Sequence, residues 1–326
     1  MVVINKKVII CGVVKNVEKF IRNSIGISIN TGELFEDYRI IIYENNSTDN
    51  TKEILKEFKN GNEKIRIISE TIDDEEIKRN SKIWAYTEIT GSDHPCRMEQ
   101  IANARNKVID EIKKPEYDEF TYIIMIDLDT NHLDPNGIID SFNNRDLNSW
   151  DVIYANGLDN SGYYYDKYAL RSKSNIFAFG AELYGDDFYL YTNSLMIKFD
   201  EPNLIPIVSA FGGIGIYKKA VFDNCRYASL IDKSIIDYYN NFMSNQTDNS
   251  ISPEIITLLE NPCRKFPGGF ISSYRNKHTG EMKHLYWKKN NGYNQPCLCE
   301  HTYFNINLTM RGFRIFINPK LIYTHS

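Results

Sequence analysis

The sequence predicts an α/β fold built around a mostly parallel sheet. Three apolar runs rich in β-branched residues, at 7–14, 38–43 and 64–69, have the length and composition of buried strands. Between them, the spacing of apolar residues at 18–28 and 49–59 predicts amphipathic helices. Strands that alternate with helices in this way typically form a parallel sheet, because each helix carries the chain back to start the next strand.

The pattern continues at longer intervals through the rest of the chain. The further predicted elements are a helix at 98–113, strands at 120–126 and 150–155, a strand within 208–217, a helix beginning at 218–222, a helix at 300–311 that stops at Gly312, and a last strand at 314–317. Residues 71–97, 157–200 and 229–296 show no clear periodicity. Of these, 71–97 is charged and irregular, and 157–200 is rich in Tyr and expected to be loop-like.

No internal repeat and no linker rich in Pro, Gly or Ser divides the sequence. We therefore expect one domain over 1–326, with a nucleotide-type half at 1–130 and a variable half at 131–326. The chain has 326 residues, enough to bury a sizeable core.

Composition and charge exclude several classes of protein. Hydrophobic residues make up 42% and charged residues 25%, which is ordinary for a soluble globular protein. The net charge of -5 argues against a surface devoted to nucleic acid. No run of 18 apolar residues predicts a transmembrane helix, and Lys6 and Lys7 interrupt the N-terminal apolar stretch, which is unlike a signal peptide.

Six dispersed cysteines do not form a disulfide scaffold, so reduced cysteines in an intracellular compartment are the expectation. Together with the missing targeting signals, this predicts a cytoplasmic location, in the host cell if the protein is viral.

Polar clusters follow three of the predicted strands, at 12–16, 44–49 and 127–130. In open parallel sheets, ligands bind at the carboxyl ends of the strands. Asp127 and Asp129, two positions apart after an apolar strand, can converge on Mg²⁺ or Mn²⁺ if the chain turns there, and both cations prefer oxygen ligands. The alternative is that one aspartate caps a turn and the other is solvated.

Four segments together resemble the nucleotide-sugar-dependent glycosyltransferases of the GT-A fold. They are YENNSTDNT after the second strand, ANARN on a helix, IIMIDLD at a strand end, and the tail CEHTYFNINLTMRGFRIFINPKLIYTH. In the tail, the family register falls on Glu300, Phe304, Leu308, Gly312, Ile315, Pro319 and His325. A more remote similarity, to fungal capsule-associated mannosyltransferases, comes from YYYDKYALRS and the CEH segment.

The resemblance implies a Rossmann-like GT-A domain whose variable half, 131–326, lies on the acceptor side. It implies transfer of a sugar from a UDP- or GDP-sugar donor to a hydroxyl of a glycan or similar acceptor, assisted by Mn²⁺ or Mg²⁺. It places Asp127 near the ribose, Asp129 on the metal and His325 as a later metal ligand.

The nucleotide-binding residues that the resemblance implies lie in five segments. They are Gly12, Val13, Glu44, Asn45, Asp49, Arg105, Asp127, Gly212 and Gly213. Glu44 would contact the base or ribose, and Arg105 would face the nucleotide phosphates. Glycines such as Gly212 and Gly213 let a substrate approach the backbone, although a β-bulge explains them equally well.

The chain departs from the family pattern at the catalytic base. Inverting relatives use the Asp of a Glu-Asp pair, whereas this chain has Glu300 followed by His301. Either residue can serve as a base. Alternatively, the enzyme retains the anomeric configuration and needs no such base, as the similarity to capsule-associated enzymes implies.

Two other functions fit the same sequence less well. A sugar-phosphate nucleotidyltransferase normally begins with a Gly-rich, basic loop, and CGVVKNVEKF is not such a loop. A sugar- or nucleotide-binding module without catalysis is compatible with the altered Glu-His pair, but the intact Asp-Leu-Asp motif argues against it.

Overall fold

The computed structural model describes residues 4–87, 92–172, 196–230, 232–235, 237–238, 264–266, 269–275, 282–286, 288–289 and 298–325. The strands are β1 (Ile4–Val14), β2 (Phe35–Asn45), β3 (Ile65–Glu70), β4 (Ile83–Thr87), β5 (Ser92–Pro95), β6 (Tyr122–Ile126), β7 (Thr130–Leu133), β8 (Val152–Leu158), β9 (Ile205–Pro206), β10 (Ile214–Lys218), β11 (Arg264–Phe266), β12 (Gly269–Arg275), β13 (Met282–Tyr286), β14 (Lys288–Lys289) and β15 (Ile315–His325). The helices are α1 (Glu18–Gly32), α2 (Thr51–Gly61), α3 (Asp74–Asn80), α4 (Arg97–Ile112), α5 (Pro135–Asn143) and α6 (Glu300–Met310), with 3₁₀ turns at Pro115–Tyr117 and Lys219–Phe222.

The main sheet has the strand order β3-β2-β1-β6-β10-β8-β15-β7, with β9 paired to β15. Strands β1, β2, β3 and β6 are parallel, β10 runs against both β6 and β8, and β15 is parallel to β8. Six of the nine strands in the described part of this sheet therefore point the same way. The predicted α/β class with a mostly parallel sheet is confirmed.

Alternate side chains of β1 enter two different apolar layers, as the two-residue period of a strand requires. Ile9 packs in the layer that contains Val108 of α4, whereas Ile10 packs in the layer that contains Ile21 and Ile25 of α1. Because both faces of the strand are covered, its sequence is continuously apolar.

Helix α6 ends as the sequence predicts, at a glycine. Gly312 has a φ of +82°, which glycine adopts without steric cost. Its N–H donates to the Thr309 carbonyl, and the N–H of Phe313 donates to the Leu308 carbonyl. These two bonds form a Schellman motif, which satisfies carbonyls at the end of the helix and turns the chain into β15.

The structure differs from the sequence predictions in three places. The stretch 71–97, which shows no clear periodicity, contains α3, β4 and β5, each too short to give a periodic signal. The last strand does not stop at residue 317 but continues to His325, through a register shift between Asn318 and Ile322. Cys96 is disulfide-bonded, contrary to the expected reduced cysteines. The described Cys11, Cys225 and Cys299 are free and buried.

The described helices include none with the length and apolar character needed to cross a membrane.

Candidate functional site

A cavity of about 830 Å³ opens at the carboxyl ends of β1, β2 and β6. The strand order reverses between β1 and β6, since β2 and β3 lie on one side of β1 and β6 on the other. Such a reversal leaves a crevice beyond the strand ends, and this is where open α/β sheets bind ligands. The predicted site residues that line this cavity are Val13, Asn45, Arg105, Asp127, Asp129, Glu300, His301 and His325.

The Asp-Leu-Asp segment is held at the mouth of this crevice by its backbone. The N–H of Asp127 donates to the Gly213 carbonyl at 2.9 Å, and the Tyr323 hydroxyl donates to the Asp127 carbonyl at 3.2 Å. Leu128 is buried in the core. Because Leu128 turns inward, the aspartates on either side of it line the cavity.

Arg105 joins two chain segments that are far apart in sequence. Its Nη2 donates to Asp127 Oδ1 at 3.0 Å and its Nε to Glu300 Oε1 at 3.3 Å. Both Arg105 and Glu300 are buried. Burial alone would lower the pKa of Arg105, but the charges of Asp127 and Glu300 raise it, so the guanidinium stays protonated. Its Nη1 is buried without a hydrogen-bond partner.

Asp127 has an unusual protonation equilibrium. Burial raises the pKa of Asp127 to about 7; Arg105 opposes this effect, and the neighbouring charge of Asp129 adds to it. A divalent cation beside the carboxylate would favour its ionised form.

His301 is buried against aromatic rings. Its ring stacks on Phe211 with the centroids 3.7 Å apart and the planes at 14°, and meets Tyr227 edge-on at 5.4 Å. Burial, reinforced by the positive charge of Arg105, holds the pKa of His301 well below its usual range. His301 is therefore neutral near pH 7. Among the described residues, both of its ring nitrogens are buried without a hydrogen-bond partner, and Nε2 lies 3.5 Å from Glu300 Oε1.

This depressed pKa predicts a pH dependence of stability. Below the ordinary histidine pKa of 6.5, the unfolded chain binds a proton that native His301 does not, so the free energy of unfolding falls as the pH falls. We expect the wild type to lose up to about 1.4 kcal/mol per pH unit relative to His301→Phe between about pH 6.5 and 5. Above pH 7 the difference should be constant. Melting curves of both proteins that stay parallel from pH 8 to 5 would contradict this assignment.

Asp129 and His325, two of the predicted metal ligands, lie side by side in the structure. His325 Nε2 is 3.8 Å from Asp129 Oδ2, and both side chains are about 38% exposed. The His325 ring also contacts Tyr165, with the centroids 4.7 Å apart. Within the described ranges, no three His, Cys, Asp or Glu side chains converge closely enough to hold a metal ion by themselves.

This donor set fits Mg²⁺ or Mn²⁺ if a ligand completes it. Both ions commonly bind through one or two protein groups and take their other ligands from substrate phosphates and water. Asp129 would supply a carboxylate oxygen and His325 an imidazole nitrogen, with Asp127 adjacent. A nitrogen ligand suits Mn²⁺ better than Mg²⁺.

The polar loop after β2 is bonded to the loop after β1. The N–H of Asn16 donates to Ser47 Oγ, and the N–H of Thr48 donates to Asn16 Oδ1. Asp49 accepts the N–H of Glu18 at 3.1 Å and that of Thr51 at 3.0 Å. Asp49 thus fixes the starts of α1 and α2, and among the described cavity residues this loop contributes only Asn45.

Glu44 lies beneath this loop. It is fully buried, and its two oxygens accept hydrogen bonds from the Ser47 N–H at 2.8 Å and from Ser69 Oγ. The Glu44 side chain therefore organises the loop, and its contact with a nucleotide stays a prediction.

The three predicted glycines lie where any side chain would collide with the protein. A Cβ on Gly12 would lie 2.6 Å from the Ile126 carbonyl oxygen, and one on Gly213 would lie 2.2 Å from the Tyr323 ring. Gly212 and Gly213 also have φ values of +63° and +87°. Close packing and a left-handed turn account for these glycines, and their neighbour Phe211 is the residue that lines the cavity.

Tyr165, Asp166 and Lys167 also line the cavity, although no sequence motif predicts a role for them. Asp166 accepts the N–H of Gly212 at 3.0 Å and that of Ala169 at 3.3 Å, and so fastens its own segment to the glycine turn. Desolvation raises the pKa of Asp166. In the sequence these three residues lie in YYYDKYALRS, the segment that resembles capsule-associated mannosyltransferases. That resemblance does not single out any one of them.

The strand order and the Asp-Leu-Asp turn beside the crevice define the fold as the GT-A type of glycosyltransferases, as the sequence resemblance implied. Residues 7–246 match the family model described as Cryptococcal mannosyltransferase 1. Because this match covers well over half of the chain, the protein belongs to that family. The similarity to capsule-associated mannosyltransferases suggested by the sequence is thereby confirmed. No curated protein sequence matches the chain.

Several solved glycosyltransferase structures are distantly similar. S. aureus TarS 1-349 is 13% identical, with 78% of this chain and 71% of that chain covered and a TM-score of 0.36. Its complex with UDP-GlcNAc is 12% identical, with 98% and 59% covered and a TM-score of 0.38. Glucosyl-3-phosphoglycerate synthase from Mycobacterium tuberculosis, with Mn²⁺, UDP and phosphoglyceric acid, is 10% identical, with 89% and 90% covered and a TM-score of 0.36.

Proposed function

We propose that the protein transfers a sugar from a nucleoside-diphosphate sugar, linked to UDP or GDP, to a hydroxyl of a glycan or similar acceptor, with a divalent cation at Asp129 and His325. The observation that carries this proposal is the local cluster of charges around Arg105. Its guanidinium is already paired with Asp127 and Glu300, and Asp129 adds a third carboxylate close by in the same cavity wall.

Within this cluster the carboxylates outnumber the one cation, and this opposes a diphosphate. A pyrophosphate group brought next to Asp127 and Asp129 would be repelled unless positive charge arrived with it. A divalent cation at Asp129 removes the repulsion and stabilises the diphosphate as it leaves. The cavity is therefore suited to a metal–diphosphate complex more than to a free nucleotide.

The protein's own residues would have separate roles in the reaction. Arg105 is fixed by Asp127 and Glu300 and directs positive charge towards the phosphates. Glu300 and His301 stay the proposed acid–base residues, and neutral His301 is in the form that a base requires. If the anomeric configuration is retained, neither residue needs to deprotonate the acceptor, and the anomeric form of the product distinguishes the two routes.

A thermal-shift screen tests the proposal. The screen adds UDP, GDP and CMP and their sugars, with Mn²⁺ or with EDTA. GDP-mannose is included because the family is described as a mannosyltransferase. A ligand at 100 times its Kd stabilises by about 2.7 kcal/mol. We expect one nucleotide class to raise the melting temperature with Mn²⁺ and not with EDTA. A shift that is the same in EDTA would refute the metal-bound arrangement, and no shift with any nucleotide would refute the donor class.

Turnover separates this function from its main alternative. A binding module of the same fold would show the metal-dependent shift but would not release nucleoside diphosphate from the sugar donor. Measuring release of UDP or GDP with a mixture of glycan acceptors distinguishes the two.

A further inference from the structure

Lys167 is a nearly buried cation in the cavity wall. It is 8% exposed, and it belongs to the segment that Asp166 fastens to the glycine turn. Its own N–H donates to the Tyr165 carbonyl at 2.8 Å. Its position in the wall is therefore set by the backbone on both sides.

Lys167 makes no ion pair with any carboxylate in the described part of the chain. Burial lowers the pKa of Lys167, and the negative charge of Asp159 opposes this effect only in part. Asp159 Oδ1, however, already accepts the N–H groups of Ser161 and Tyr163, at 2.8 and 3.0 Å. The Lys167 side chain is thus largely withdrawn from water, while its ammonium group has no close counter-charge among the described residues.

The other cations around the cavity differ from Lys167. Arg105 is buried but already paired with Asp127 and Glu300, while Lys15 and Arg97 line the cavity as exposed residues. Lys167 is therefore the buried cation in the described wall whose charge is not committed to a carboxylate.

A largely buried lysine side chain whose ammonium group has no counter-charge is unfavourable, and protein structures normally supply one. A ligand that brings an anionic oxygen into the cavity would supply it. The phosphate group is the substrate chemistry that combines high charge with several acceptor oxygens, and lysine is a common phosphate-binding residue.

We propose that Lys167 binds a phosphate group of a substrate in this cavity. The phosphate can belong to the sugar donor, where Lys167 would help Arg105 and the metal to hold the leaving diphosphate, or to a phosphorylated acceptor. The proposal deepens the proposed function, on which it rests, because it assigns a substrate group to a residue with no previous role.

Lys167→Met tests the proposal by its effects on stability and on ligand affinity, which should differ. Replacing the uncompensated ammonium by an apolar side chain should leave the ligand-free melting temperature equal or higher. The same change should weaken binding of the phosphate-bearing ligand by about 10- to 100-fold, the usual effect of losing a charge-assisted hydrogen bond. Lys167→Arg, which keeps the charge, should recover part of the affinity.

Lys198→Met is the matched control, because Lys198 is an exposed lysine that lies over the Tyr163 ring and does not line the cavity. Calorimetric titration of all four proteins with UDP and GDP in Mn²⁺ gives the donor arm. Titration of inorganic phosphate into the nucleotide-loaded proteins gives the acceptor arm. A loss in the donor arm assigns Lys167 to the donor diphosphate, and a loss confined to the acceptor arm assigns it to an acceptor phosphate.

Two outcomes overturn the proposal. If Lys167→Met binds both probes as the wild type does, Lys167 holds no phosphate and the proposed glycosyl transfer is unaffected. If Lys167→Met lowers the melting temperature without changing either affinity, its role is structural. Failure of the proposed function looks different: the wild type would then bind no nucleotide, while any binding of phosphate that depends on Lys167 would still support the assignment.

Discussion

Asp129→Asn should abolish the metal-dependent binding of nucleotide while leaving the fold intact. The substitution keeps the size of the side chain but replaces a carboxylate oxygen by a neutral amide, which binds hard divalent cations poorly. Asp129 is partly exposed, and its contacts are long: Tyr323 Oη at 3.5 Å and His325 Nε2 at 3.8 Å. The ligand-free melting temperature should therefore change little.

We expect the affinity for nucleotide in Mn²⁺ to fall about a hundredfold or more, to the level that the wild type shows in EDTA, and turnover to fall by about 10²–10³ because the leaving diphosphate loses its cation. Calorimetric titration and initial rates measure both. Asp223→Asn removes an exposed carboxyl outside the cavity and should leave both unchanged. A variant at Asp129 that keeps its Mn²⁺-dependent affinity would move the metal away from this residue.

His325 shows what the sequence alone does not reveal about the metal site, namely the strand pairing that holds this residue in place. The family register of the tail implies a metal ligand at this position, but no hydrophobic pattern in the sequence shows what holds it in place. The structure places it at the end of β15, whose partners β7 and β8 hold it beside Asp129. That placement depends on pairing between segments more than 150 residues apart, which no local pattern in the sequence encodes.

Local patterns do predict the elements that position the site. Continuous apolar runs identify β1, β2 and β6, and the spacing of apolar residues identifies α4, so the end of β6 at Asp127 follows from the sequence. Two details do not follow from it. The burial of Glu44 depends on hydrogen bonds across the loop, and the roles of Asp166 and Lys167 depend on a segment with no periodicity.

Arg105→Met should be the most destabilising of the site substitutions. It leaves the carboxylate of Glu300, which is 4% exposed, without its cationic partner, and it removes the charge nearest to Asp127. Breaking a buried ion pair from one side costs about 3–5 kcal/mol. For a chain of this size the melting temperature should fall by roughly 4–7 °C. Arg226→Met, which removes an exposed arginine paired with Asp110, should cost about 1 kcal/mol or less.

The pH dependence and a double variant show whether the loss comes from stranded charge. Without Arg105, which lowers the pKa of Asp127 in the wild type, that pKa should rise further. The native state then binds a proton that the unfolded chain releases, so its stability falls as the pH rises. The destabilisation by Arg105→Met should therefore be larger at pH 8 than at pH 5.5. Adding Glu300→Gln removes the stranded charge and should recover part of the stability at pH 8. A double variant no more stable than Arg105→Met would show that packing of the Arg105 side chain against Phe211 and Tyr227, at 5.0 and 5.8 Å from their ring centroids, carries the effect instead.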